Sequence, residues 1–231
     1  MDVESYSERL NKYIALRLGV SRREADSLIE HGHVKVNGER AVLGSRFKTG
    51  DSITVQGHLV PGTVPLQYLR LHKPVGYVSS RRRQGEHPTI YELLPSSYHD
   101  LKPVGRLDKD SSGVLLLSND GDFAYQMTHP KFHKQKQYEV SLDKDLEPLH
   151  QQMIGEYGLS LEDGVSQLTL TRINETSRKD WYVTMHEGRN RQIRRTFAAL
   201  GYTVVKLHRT HFGPYHIGTL AAGAYDEVDK I

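Results

Sequence analysis

Leu10, Ile14 and Leu18 recur at helical spacing, and Arg9, Lys12 and Arg17 are left for a polar face, so the pattern predicts an amphipathic helix early in the chain. Ser21 followed by Glu24 is a capping box, opening a second helix that buries Ala25, Leu28 and Ile29. Gly32 suits the left-handed stop after such a helix. HVKVNGERAV then alternates apolar and polar residues around Asn37-Gly38, a strong hairpin signal, and GDSITV supplies a further strand. Two prolines, two glycines and little charge make GHLVPGTVPL read as a linker. The expected organisation is a small domain over 1–58, a linker over 59–66 and a larger domain over 67–231.

Beyond Tyr68 the period changes. YLRLHK has strand character up to Pro74, GVLLLSNDG reads as a buried strand ending in a turn, and KQYEVSL, SQLTLTRI and DWYVTMHEG alternate as antiparallel strands do. DGDFAYQMTH and RNRQIRRTFAALG read as helices, the second with Ile193, Phe197 and Leu200 on one apolar face. A mainly antiparallel sheet flanked by helices makes the larger domain α+β.

Composition narrows the function. The 31 Lys and Arg against 28 Asp and Glu leave a net charge of only +3, but the basic residues bunch in SRREA, SSRRRQG and EGRNRQIRR. Clustered arginine suits a polyanionic partner, although a charge run can equally be a solvated face. The absence of cysteine excludes disulfides, thiolate metal sites and cysteine nucleophiles. Thirteen histidines include His129 and His133, but Pro130 breaks any helix that would align them, and no metal is expected. The polar start MDVESYSERLN is unlike a signal peptide and no apolar run approaches a membrane span, which points to a cytoplasmic protein away from membranes.

Three stretches can carry chemistry. In GRLDKDSSG, Asp108 lies beside Arg106 just before a buried strand, where a carboxylate can be desolvated and held charged by a cation; a turn capped by aspartates is the structural alternative. KQYEV places Tyr138 on a strand. EGRNRQIRR places Arg191, Arg194 and Arg195 at i, i+3 and i+4, a basic helical face suited to phosphates or to a buried aspartate.

Taken in order, GRLDKDSSGVLLLSNDG, KQYEV and EGRNRQIRR resemble the pseudouridine synthases, more narrowly the branch named after RsuA and RluB. LHKPVGYVSS and VVKLHRTHFGPYHIGTLAAGAY resemble the opening and closing elements of that branch, and residues up to GDSITV resemble the small RNA-binding domain shared with ribosomal protein S-four. His72 stands where asparagine is commoner, Thr196 replaces a typical methionine, and Asp226 follows Tyr225 where the family usually has arginine. The resemblance implies isomerisation of a ribosomal RNA uridine to pseudouridine, with no cofactor. Asp108 matches the catalytic aspartate, acting by covalent attack or by abstracting a ribose proton, and Arg194 matches its cationic partner. Tyr138 matches the tyrosine that stacks on the base, and Arg106 an arginine that holds phosphate or fills the space left by the moving base. Lys73, Arg191 and Arg195, with Arg22 and Arg23 of the small module, are the further RNA-binding candidates, and Asp110 is read as a turn cap.

The implied partner is ribosomal RNA or a ribosomal-subunit assembly intermediate, met by a monomer. EGRNRQIRR favours a large-subunit, RluB-like target over a small-subunit, RsuA-like one. The rival readings are a non-catalytic RNA-binding assembly factor, which would have no need of Asp108, Tyr138 and Arg194 together, and a nucleoside hydrolase, which would release free uracil.

Overall fold

In the computed structural model, which describes residues 7–231, the two early helices run Leu10–Arg17 and Arg22–Glu30. The capping box closes in both directions: Ser21 Oγ accepts from the Glu24 N–H at 3.1 Å, and the Glu24 carboxylate accepts from the Ser21 N–H at 2.7 Å. Leu10, Ile14, Ala25 and Ile29 are buried in one cluster with Val34 and Ile53. Leu18 instead stays exposed, because the first helix ends one residue before it. Asn37 and Gly38 take φ of 53° and 86°, as a tight hairpin turn between Val34–Val36 and Glu39–Arg40 requires.

Part of the expected linker is ordered structure. Gln56 and Gly57 form a second turn of positive φ, 50° and 84°, so His58–Leu59 pairs antiparallel with Ile53–Val55 and Val60 is buried in the same core. Gly62 O accepts from Arg17 Nη2 at 2.7 Å. The chain divides into two compact units, one running to Gln67 with Asn119–Gly121, the other comprising Tyr68–Ser118 and Asp122–Ile231.

The second unit is built on one large mixed sheet. Its strands lie in the order Thr169–Arg172, Asp180–Met185, Lys136–Leu142, Val204–Phe212, Ser112–Ser118, Tyr68–Lys73 and Tyr225–Glu227. Every neighbouring pair is antiparallel except Val204–Phe212 with Ser112–Ser118, which is parallel. The unbroken run VLLL is explained by apolar cover on both faces. Leu115 and Leu117 join Leu69, Val140, Trp181 and Phe197 in one core, while Val114 and Leu116 join Phe123, Met127 and Phe212 in the other. Ile193 and Phe197, on the helix Gln192–Ala198, fill the first core as their spacing predicts.

At the parallel crossing the backbones leave no room for a side chain at Gly113. Gly113 has φ +115°, and a Cβ there would lie 2.2 Å from Arg209 O and 2.5 Å from Arg209 N. Gly113→Ala should therefore cost about 3–5 kcal/mol of unfolding free energy, combining backbone strain with overpacking. Gly201→Ala is the control: its φ is +78° with nothing near the added atom, so it should cost only about 1–2 kcal/mol. Urea midpoints of the two variants check this, and equal losses would contradict it.

Candidate active site

The loop Leu107–Ser111, which enters the strand Ser112–Ser118, has each of its five carbonyl oxygens occupied. Leu107 O accepts from Ser79 Oγ at 2.9 Å, and the same hydroxyl accepts from the Leu107 N–H at 3.2 Å. Asp108 O accepts from Lys73 Nζ and from the Ser111 N–H, both at 3.0 Å. Lys109 O accepts from the Gly76 N–H at 2.8 Å, Asp110 O from Arg194 Nη2 at 2.8 Å, and Ser111 O from Lys73 Nζ at 2.7 Å. Donors from three separate stretches, 73–79, the loop itself and the helix at 194, thus hold the backbone that carries Asp108. Fixing a reacting group to a fraction of an ångström is the property such a site needs.

Lys73 is corrected by this geometry. It is fully buried, with its third donor on Pro74 O at 3.0 Å, and so lies beyond the reach of RNA. Burial pushes its ammonium down to about 8, against the opposing pull of Asp108 and Asp110. Asp110 does not cap the turn with its side chain. The Asp108–Ser111 backbone bond closes it, and the Asp110 carboxylate lies 4.0 Å from both Lys109 Nζ and Arg191 Nη1.

The arginines divide differently from the expected helical face, because the helix begins only at Gln192. Arg191 precedes it in a left-handed conformation, φ 47°, which turns its guanidinium to the loop, with Nη1 3.5 Å from the Asp108 carboxylate. The ion pair expected of Arg194 is thus formed by Arg191. Arg194 commits its guanidinium to backbone, donating to Val204 O at 2.6 Å and Asp110 O at 2.8 Å. Burial and the neighbouring Arg191 charge hold its pKa below the usual guanidinium value, while Asp110 and Asp108 favour its charged form. Arg195 chelates the Asp163 carboxylate at 2.6 and 3.0 Å, and Arg189 meets the same carboxylate at 2.9 Å. Arg195 is therefore occupied by a carboxylate rather than presented to phosphate.

Asp108 borders a cleft of about 300 Å³, lined also by Arg106, Tyr138, Arg191, Lys136 and Arg209. Tyr138 is buried there and Arg106 is exposed. Arg22 and Arg23 are both exposed on the first unit, with Arg22 Nη2 donating to Asn11 Oδ1 at 3.2 Å. Lys136 and Arg209 are cleft residues that the sequence reading passed over. Lys136 was within reach of the strand period, since it stands two residues before Tyr138. Arg209 was hidden by a bulge: Gln137 pairs with His211 but Tyr138 pairs with Arg209, leaving Thr210 unpaired. That extra residue brings Arg209 and Phe212, three apart, to the same cleft.

The three departures from the family pattern are each satisfied locally. His72 Nδ1 is 2.7 Å from Leu220 O, the buried Thr196 hydroxyl donates to Gln192 O at 2.9 Å, and Asp226 accepts from Arg70 Nε at 2.9 Å.

Comparison with known proteins gives the family. The family model described as RNA pseudouridylate synthase matches residues 67–199, and that of the S4 domain matches residues 8–53. Ribosomal large subunit pseudouridine synthase B of Bacillus subtilis is 37% identical over 226 residues, covering 96% of this chain and 92% of its own. Ribosomal small subunit pseudouridine synthase A of Pasteurella multocida is 35% identical over 220 residues, covering 94% of each. A crystal structure of a pseudouridylate synthase, 32% identical, matches with a TM-score of 0.66 over 96% of each chain. The chain is an RNA-modifying enzyme by its relatives, and it is a member of the RNA pseudouridylate synthase family with an S4 domain ahead of the synthase domain.

The two arginines should separate on substitution. Arg194→Ala removes a charged donor from two carbonyls and should cost about 2–4 kcal/mol of stability, along with about a hundredfold in turnover as the loop shifts. Arg191→Ala breaks a half-exposed pair and should cost at most about 1 kcal/mol of stability, while turnover still falls at least tenfold. Denaturant midpoints and single-turnover rates measured together test this; a stable Arg194→Ala or a fully active Arg191→Ala would contradict it.

Proposed function

We propose that this enzyme converts a uridine of large-subunit ribosomal RNA to pseudouridine, in the cytoplasm and as a monomer, with Asp108 as the catalytic carboxylate. The observation that carries the reading is Asp108 itself, held on a loop with five fastened carbonyls, beside Arg191 and at the edge of the cleft that contains Tyr138. The reaction breaks the bond from N1 to C1′, turns the base while it is held, and joins C5 to C1′. Atoms are conserved, so no cofactor is called for. Asp108 engages the nucleotide at the glycosidic bond, Arg191 orients its carboxylate, and Tyr138 offers a ring for the base to stack on. Arg194 and Lys73 act through the loop, as positioning residues. A uridine inside a helix cannot reach such a site, so the target nucleotide is unpaired or extruded.

The large-subunit assignment is supported by EGRNRQIRR and by the 37% identity to a synthase named for that subunit. The small-subunit alternative is supported by the 35% relative named for the other. Arg22, Arg23 and Arg106, all exposed, are suited to phosphate contacts, which position RNA without reading its sequence.

Asp108→Asn should leave a folded, RNA-binding protein with turnover lowered at least about a thousandfold, whereas Asp110→Asn should remain clearly active. Pseudouridine mapping of ribosomal RNA from cells with the gene, without it, and with Asp108→Asn gives the second check. One large-subunit position should lose its modification in the latter two strains. Loss confined to small-subunit RNA would move the target, and Asp108→Asn activity within tenfold of the parent would remove Asp108 from its role.

A further inference from the structure

Two buried cations line the cleft without a carboxylate of their own. Arg209 is 2% exposed, donates through Nε to Val114 O at 2.8 Å, and has a buried Nη2 with no hydrogen-bond partner. Its guanidinium carbon lies 4.7 Å from the centre of the Phe212 ring. Lys136 is 8% exposed, donates to Glu187 O at 3.1 Å, and has its Nζ 5.5 Å from the same ring. Gly188 makes the space for it, since a Cβ there would meet Nζ at 3.2 Å. Nearby carboxylates are engaged elsewhere: Asp108 with Arg191, and Glu187 with Gln192 and Arg189. Buried positive charge left unpaired is costly, which makes the site one that gains from an incoming anion or a strongly polar acceptor.

We propose that Lys136 and Arg209 form the electropositive floor of the cleft, binding the uracil ring through its carbonyl oxygens and stabilising it as an anion after the N1–C1′ bond breaks. The inference rests on the assignment of the catalytic centre made above. When the bond to C1′ breaks, its electron pair stays on the base and the charge spreads over N1, O2 and O4. It is neutralised when C5 bonds C1′, the C5 proton leaves and N1 takes one up. For that interval the base carries a negative charge that neither the bound substrate nor the product base has. Tyr138, the proposed stacking ring, pairs across the sheet with Arg209, and Lys136 with Phe212, so ring face and cationic floor come from the same two strands. Fixed donors aimed at charge that develops only during reaction raise the rate rather than the affinity.

The charge state of Lys136 gives the inference a pH signature. Burial first, then Arg209, push its ammonium down to about 8, opposed by Glu187. Asp108, Arg191 and Arg189 also line the cleft, and Tyr138 shares its strand. Below about 8 the floor carries both charges; above it Lys136 becomes neutral and the free enzyme loses one. Lys73 titrates in the same range, so the informative quantity is the ratio of kcat/KM for Lys136→Arg to that of the parent, in which Lys73 cancels.

The experiment uses the full chain and ribosomal RNA tritiated at uridine C5, taken from cells lacking the gene. Lys136→Met and Arg209→Met should lower the saturating single-turnover rate about a hundredfold or more, with RNA dissociation constants within about threefold of the parent. Lys136→Arg should recover at least about a tenth of the parent rate, and its kcat/KM ratio to the parent should rise about tenfold between pH 7.5 and 9.5. If Arg209→Met fails to fold, the two Lys136 variants decide. A parent-like saturated rate for Lys136→Met, or a pH-independent ratio, overturns the proposal. So does a loss that appears in affinity and vanishes at low salt, which would make Lys136 a phosphate contact. Asp108→Asn in the same assay separates the two readings: inactive Asp108→Asn beside active Lys136→Met removes only the floor, whereas active Asp108→Asn removes the assignment of the centre itself.

Discussion

The position of Asp108 in this enzyme depends on the fastening of one short loop. Backbone carbonyls that leave water must find donors, and the five from Leu107 to Ser111 find theirs on Ser79, Lys73, Ser111, Gly76 and Arg194. Two of the donors are charged and partly or wholly buried, and such bonds are stronger than neutral ones. Lys73 is the most demanding of them. A fully buried ammonium without a bonded carboxylate is tolerated because three carbonyls, on Pro74, Asp108 and Ser111, surround it. The aspartate is thereby placed by its backbone, leaving its carboxylate open to Arg191 and to the cleft.

The basic residues near the site are sorted by depth into distinct roles. Lys73 and Arg194 hold backbone, Arg189 and Arg195 converge on Asp163, and Arg191 meets the Asp108 carboxylate. Arg195 is charged in either reading, but the Asp163 pair fixes it to the hairpin Leu159–Ser166, which lowers the Asp163 pKa chiefly through that hydrogen bond. Lys136 and Arg209 remain, lining the cleft with one backbone carbonyl each and no bonded carboxylate. A segment that looks uniformly basic in sequence is thus mostly internal framework, and the charge that faces substrate comes from fewer residues.

Much of the framework was legible in the chain itself. The Ser21–Glu24 capping box, the Asn37-Gly38 turn, the alternation in KQYEVSL and DWYVTM, and the Ile193–Phe197 stripe are local signals, and each forms as its chemistry predicts. GRLDKDSSG, KQYEV and EGRNRQIRR, taken in order, pointed to the family that the comparisons give. Where local reading failed, the cause was again physical. Gln56-Gly57 is a weaker turn signal than Asn-Gly, so a short strand passed for linker, and the helix with Arg194 begins later than its charge pattern suggested.

The chain by itself determined most of the elements and the family, and it singled out Asp108 and Tyr138 as candidates, because periodicity, capping and motif spacing act over a few residues. Only the tertiary structure decided which arginine meets Asp108, that Lys73 is interior, and that Lys136 and Arg209 share a cleft. Two of those outcomes turn on one residue in the left-handed region and one bulge at Thr210. Each redirects a side chain by an amount that sequence spacing does not encode, since it is set by segments that meet only after folding.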